Sequence, residues 1–132
     1  MAREKKVADA SVIVKWFLNE ADSEQALRYR DEHINGQTLL VVPELAFVEV
    51  LNVLRYKSKK EDQLKESIQA LFDIQLCVQR LNTTLLEKTL LLALKYDLSI
   101  YDALYAATAA FHDAPLITAD KALLLVPQSI KL

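Results

Sequence analysis

"TLLVVPELAFVEVLNVL" (residues 38–54) reads as two elements joined with almost no loop. "TLLVV" has the length and unbroken apolarity of a strand covered on both faces. Pro43 stands where helices favour proline, at the first helical position, and the helix it opens is expected to run to about Lys57. Leu45, Ala46, Phe47, Val48, Val50, Leu51, Val53 and Leu54 predict burial of that helix on most sides. Glu49 breaks the pattern about two turns in, too deep to serve as a cap, and Asn52 three residues later shares its face.

A strand feeding a helix is half of a βαβ unit, and the flanking sequence repeats the arrangement. "KKVA" ahead of Asp9 reads as a short strand. "SVIVKWFL" is expected to be helical, although Val12, Ile13 and Val14 also suit a strand. "DSEQALRYRDEH" reads as a helix opened by an Asp22-x-x-Gln25 capping box and closed at Asn35-Gly36, the chain's only glycine. "EDQLKESIQALFDI" is amphipathic, with Leu64, Ile68, Leu71 and Phe72 on one face. "QLCVQRL" alternates as a strand does. Two helices follow, "TTLLEKTLLLALKY" and "SIYDALYAATAAFH", the second capped by Ser99. "PLITA" is a strand, "DKALLL" a short helix and "SIKL" a last strand. The sequence predicts one α/β domain over residues 1–132, a three-layer sandwich with a parallel sheet of about five strands between helices.

Composition narrows the function classes. A chain of 132 residues that is 52% hydrophobic can bury a single core without help from disulfides or metals. No apolar run approaches the roughly 18 residues a membrane span needs. The basic start and following apolar run are interrupted by Asp9 and Lys15, with no small-residue cleavage site after them, so a mature cytoplasmic protein is expected. Cys77 stands alone, and His33 and His112 do not make a zinc site by themselves. Sixteen basic against eighteen acidic residues give a net charge of −2, which does not announce a nucleic-acid binder. The densest basic run, "RYKSKK" (55–60), is open to two readings. Arg55, Lys57, Lys59 and Lys60 form an RNA-binding patch, or they complement the negative end of a helix dipole.

The acidic residues carry the chemistry. Asp9 in "VADAS" and Asp120 in "LITAD" each follow a strand, and each alone also reads as a helix cap. Asp102, three residues after Ser99, resembles a capping-box partner. Capping does not predict where they fall together. In a parallel sheet, helices leave a strand at its carboxyl edge or start back from that same edge, so the three aspartates converge on one rim. Glu49 either faces that rim or lies on a solvent stripe. Two carboxylates about 5 Å apart at an effective dielectric near 20 repel by roughly 3 kcal/mol, so such a cluster takes up protons or binds a cation. Oxygen donors without Cys or His select Mg²⁺ or Mn²⁺.

"VADASVIVKWF", "ELAFVEVLNVL", "LSIYDALYAATA" and "LITAD", in that order, resemble the PIN domain in its small prokaryotic branch of VapC-type toxins, over essentially the whole chain. The resemblance implies a Rossmann-like PIN fold, helical "SVIVKWFL", and a metal-dependent endoribonuclease with Asp9, Glu49, Asp102 and Asp120 as its four acidic positions. It implies that Asp9, Asp102 and Asp120 hold one or two Mg²⁺ or Mn²⁺ ions, while Glu49 positions water or adds a ligand. Ser11 and Thr118 match the family's small polar neighbours and are expected to support the carboxylates or make local turn bonds; Asn52 matches a frequent family residue. The resemblance also implies a homodimer, an RNA substrate and a small VapB-like antitoxin that threads a peptide across the cleft. The histidines are read as surface or helix-end residues, Cys77 as a buried strand residue, and Trp16, Tyr29, Tyr56, Tyr101 and Tyr105 as core or interface aromatics.

Two alternatives stand beside this reading. A non-catalytic PIN-like binding or assembly module would keep the fold without the chemistry. A phosphoacceptor receiver-like domain would want an acidic pair after the first strand and an Asp after the third. Here the first offers only Asp9, and the third runs into "RLNTT".

Overall fold

The computed structural model describes residues 3–57 and 60–132. Five parallel strands form one sheet: β1 (Glu4–Ala8), β2 (Thr38–Pro43), β3 (Cys77–Gln79), β4 (Leu116–Thr118) and β5 (Ser129–Lys131), in the order β3-β2-β1-β4-β5. The helices are α1 (Ala10–Ile13), continued by a 3-10 turn over Val14–Trp16, α2 (Ser23–Ile34), α3 (Leu45–Lys57), α4 (Glu61–Asp73), α5 (Thr83–Tyr96) and α6 (Ile100–Phe111). The predicted three-layer α/β sandwich is therefore the fold. Its strand order differs from the 2-1-3-4-5 order of receiver domains, which removes that alternative.

The order has a consequence for function. Chain progression runs outward from β1 through β2 to β3, then returns to place β4 on the other side of β1. The crevice at the carboxyl ends of β1 and β4 is the topological switch point, where open α/β sheets bind ligands. Val7 and Ala8 pair with Leu116 and Ile117, so the residues that follow, Asp9 and those after Thr118, emerge side by side.

The core sits on both sides of β1, β2 and β4, whose central residues Val7, Ala8, Leu40, Val41, Val42, Leu116 and Ile117 are all buried. α6 lies across β1, β2 and β4, where its small Ala106 and Ala109 pack in the sheet's core, while Ala107 packs with Leu85 of α5. α5 packs outside it. On the opposite face, α2 is tied to α1 by the buried Trp16, whose indole N–H donates to the Ala26 carbonyl at 2.8 Å.

Several local readings need correction. Pro43 ends β2, pairing with Gln79, and the helix begins two residues later at Leu45. Asp22 does not cap α2: its backbone is left-handed (φ 66°) and its side chain accepts no cap bond. Ser23 closes that turn instead, donating to the Leu18 carbonyl and accepting from the Glu20 N–H. Gly36 (φ 83°) does close α2, as the αL position after a helix requires. α3 is less enclosed than its apolarity predicts, with Val48 67% exposed, because α4 covers only part of it. Residues Phe47, Val48, Leu51, Ile68 and Phe72 line an open apolar groove between the two helices. Cys77 is only half-buried, and of the aromatics read as core or interface, Tyr56 and Tyr101 are exposed and so not in the core.

His33 is a helix-end residue but not a surface one. It is buried, its Nδ1 accepts the Leu40 N–H at 3.0 Å, and its Nε2 lies 3.1 Å from the Gln75 carbonyl, to which the Nε2–H tautomer donates. The ring satisfies β2 one residue before its pairing with β3 begins at Val41. Replacing His33 with Leu strands a buried donor and a carbonyl, so urea unfolding should show a loss of about 3 kcal/mol; an unchanged midpoint would show that the ring bonds are dispensable.

Candidate metal centre

Each acidic residue reaches the rim for a local backbone reason. Asp9 leaves β1 and caps α1, accepting the Val12 N–H at 3.3 Å. Ser99 caps α6 by accepting the Asp102 N–H at 3.1 Å, which places Asp102 in the first turn of that helix. Asp120 leaves β4 and turns the chain into the 3-10 turn at Leu123–Leu125, accepting the Ala122 N–H at 2.9 Å. The capping role is thus real for Asp9, whereas Asp120 makes a local turn bond and caps no helix; both bonds aim these carboxylates at the switch point.

Asp9 is only 3% exposed. Its two oxygens are held separately: Ser11 Oγ donates to Oδ1 at 2.5 Å and Thr118 Oγ1 donates to Oδ2 at 2.6 Å. Those hydroxyls are themselves oriented by successive backbone donors beyond β4, Ala119 N–H to Ser11 Oγ and Asp120 N–H to Thr118 Oγ1, both at 2.9 Å. The expected supporting roles of Ser11 and Thr118 thus take a definite form. They cross-link the ends of β1 and β4 through one carboxylate.

The charges press on one another. Burial pushes the Asp9 carboxyl up from 3.8 to about 6, opposed by the Ser11, Thr118 and Val12 donors and reinforced by Asp120. Burial also raises Asp102, again with Asp120 adding to it. Glu49 is raised by burial and, more weakly, by Asp102. Repulsion therefore links all four residues in sequence, Asp9 to Asp120 to Asp102 to Glu49.

Glu49 faces the cleft and not open solvent. Its Oε1 accepts a 2.5 Å hydrogen bond from the hydroxyl of Tyr105, a residue 2% exposed on α6. Burial and the neighbouring Glu49 and Asp9 charges drive the Tyr105 phenol strongly upward, so it is a donor at every working pH. Sequence reasoning placed Tyr105 with the core aromatics. The signal that could have found it is its spacing, one turn after Asp102 on the same helix.

Other expected residues are less engaged. Asn52 is exposed one turn beyond Glu49. Lys57 pairs with Glu20 at 2.7 Å, and Arg55 donates to the Tyr56 hydroxyl at 3.0 Å. Lys60 is exposed, and Lys59 lies outside the described residues. Among the described residues no three Asp, Glu, His or Cys groups stand close enough to share one ion. The rim is an open arc of mutually repelling oxygen donors. That donor set suits a hard cation that takes few protein ligands and keeps several waters, as Mg²⁺ does.

The comparisons bear on the family and the fold. The PIN domain profile matches residues 6–127. No curated protein matches the sequence significantly. Among solved structures, a toxin–antitoxin complex from Klebsiella pneumoniae is 20% identical, with 95% of each chain covered and a TM-score of 0.74. A Pyrobaculum aerophilum protein is also 20% identical, over 97% of this chain and 83% of that one, at 0.73. VapC20 of Mycobacterium tuberculosis, a sarcin-ricin loop cleaving toxin, is 12% identical, over 93% of this chain and 95% of that one, at 0.74. A profile match across almost the whole sequence, on the expected sheet and with the acidic residues gathered at its switch point, means that this chain belongs to the PIN domain family.

Proposed function

We propose that the chain is a divalent-cation-dependent endoribonuclease and the toxin of a toxin–antitoxin pair. The observation that carries this reading is the convergence of Asp9, Glu49, Asp102 and Asp120, from four separate segments, on one sheet edge where burial and neighbouring carboxylates disfavour the charged forms of Asp9, Glu49 and Asp102. A cation offsets that repulsion. In this reading Asp9, Asp102 and Asp120 hold one or two Mg²⁺ or Mn²⁺ ions, with Glu49 as a further ligand or as the group that orients the attacking water. Bound there, the cation would lower the pKa of that water and stabilise charge on the phosphoryl oxygens. The protein's own part is orientation: Ser11 and Thr118 keep Asp9 fixed, and Asn52, Arg55 and Lys57 lie along the same helix as Glu49.

Surface features support the partner assignments. The apolar groove between α3 and α4 suits the nonpolar face of an antitoxin helix. On α5, Leu86, Leu90 and Leu94 form an exposed stripe with Leu91 beside it, and Leu94 is 74% exposed. A stripe of that kind on a monomer calls for cover, and a second copy of the chain supplies it in the proposed homodimer. Among the described residues no helix is long and apolar enough to cross a membrane. The Klebsiella structure is a toxin–antitoxin complex and VapC20 is a cleaving toxin, which favours this reading over a non-catalytic module.

Asp9→Asn and Asp102→Asn should each abolish Mn²⁺-dependent cleavage of a fluorogenic RNA while leaving the fold intact; wild-type cleavage by both would sink the assignment. Stability gives an independent readout. Because the folded carboxyl of Asp9 titrates near 6 rather than 3.8, its contribution is complete below about pH 4 and is lost as the pH rises through 6, about 3 kcal/mol in all. Thermal melts of the cation-free protein should fall over that range. Mn²⁺ at 100 times its Kd should then restore about 2.7 kcal/mol at pH 7. Asp9→Asn should flatten the pH dependence and remove the Mn²⁺ response; a variant that behaves like wild type in both melts would contradict the site. For the basic run, changing Lys57, Lys59 and Lys60 to Ala should reduce the slope of log affinity against log salt by about 0.7 per lost phosphate contact. An unchanged slope would remove the patch from the RNA path.

A further inference from the structure

Lys6 is out of place on its strand. β1 lies at the centre of a parallel sheet, where residues are normally apolar on both faces, yet the Lys6 side chain is only 19% exposed. Its ammonium is held in position, 3.6 Å from a Glu32 carboxylate oxygen and 5.2 Å from the centre of the Tyr29 ring. Both partners belong to α2. Beside them is a cavity of about 330 Å³, lined also by Arg28 of the same helix and Lys131 of the edge strand β5. Three cations therefore meet one acidic side chain. Glu32 answers Lys6, while Arg28 and Lys131 stand in no ion pair among the described residues.

The cavity adjoins the acidic rim. Lys131 pairs with Thr118, so about 4.8 Å, one strand spacing, separates their backbones, and Thr118 is the residue that holds Asp9 Oδ2. α2 leads into the parallel strand β2, so it starts at the same carboxyl edge, and Arg28 lies nearer that edge than Glu32 does. The basic run on α3 is placed less well. Lys57 lies about 12 Å along the helix axis from Glu49, at 1.5 Å per residue, and Glu20 already matches its charge.

We propose that the cavity between α2 and β5 is a phosphate site for the RNA strand, where Arg28 and Lys131 hold a phosphate flanking the one at the rim and lead the strand away across β4 and β5. This inference rests on the ribonuclease reading above and adds the route of its substrate. A guanidinium offers a planar fork of donors that fits phosphate oxygens, and Lys6, fixed by Glu32 and Tyr29, adds a point charge to the cavity wall. The overall charge of −2 does not oppose such a site, because exposed charges more than about 10 Å away are largely screened by salt.

The experiment measures binding of a short single-stranded oligoribonucleotide of mixed sequence against salt in Mg²⁺. It uses the Asp102→Asn background, so that the strand stays whole, with and without Arg28→Gln and Lys131→Gln. Each substitution should lower the slope of log affinity against log salt by about 0.7, and the pair by about 1.4. In the chain with Asp102 intact, the pair should raise KM severalfold at unchanged kcat, since these contacts are alike in the ground and transition states. Melting temperatures should not move, because both side chains are exposed and unpaired among the described residues. A slope unchanged in the double variant overturns the proposal, and so does an equal loss of affinity for polyglutamate, which would show a cationic surface without preference for phosphate. A wild-type chain that neither binds nor cuts the oligoribonucleotide overturns the ribonuclease reading itself, whereas cleavage with an unchanged slope in the double variant overturns only the role of the cavity.

Discussion

A carboxylate is buried at the end of the central strand, and the rest of the site is arranged around keeping it there. Asp9 follows the strand that lies between β2 and β4, in a position where a charge is disfavoured. It is held by hydroxyls from Ser11 on its own turn and Thr118 at the end of β4, each fixed by the next backbone N–H. One interaction therefore does two jobs. It satisfies the buried oxygens, and it locks together the two strand ends that define the switch point. An aspartate whose oxygens are both bonded and still raised in pKa retains a net disfavour for its charge.

The other three carboxylates are less buried and are held more loosely, through one bond each to Tyr105, Ser99 or a turn N–H. In the proposed reading, this gradient from fixed to adjustable would let the site admit a hydrated ion and then a phosphodiester. It also accounts for the open arc, in which no three groups are drawn together among the described residues. Asp9 would have to break the β1–β4 cross-link to move.

The strands and the order of the helices were legible in the sequence because their apolar runs and periods are strong and local. Asp9, Asp102 and Asp120 were legible for a topological reason: parallel strands deliver whatever follows them to one edge. What escaped depended on distant partners. Asp22 looked like a cap, but the cap geometry went to Ser23 through a contact with Leu18. Pro43 looked like a helix start, yet β3 pairs with it and extends the strand. Val48 looked buried, because nothing in the order of residues says how far α4 will cover α3. Tyr105 was read with the core or interface aromatics, since its bond is to a residue 56 positions away. His33 likewise shows its role only when β2 comes alongside.

The central claim is that the rim at the carboxyl ends of β1 and β4 is a cation site. Anomalous diffraction at the manganese absorption edge, from crystals of the chain equilibrated with Mn²⁺, tests it most directly. The account predicts one or two peaks bordered by Asp9, Asp102 and Asp120 and faced by Glu49. Peaks confined to other surfaces, or none at this rim in millimolar Mn²⁺, would contradict it.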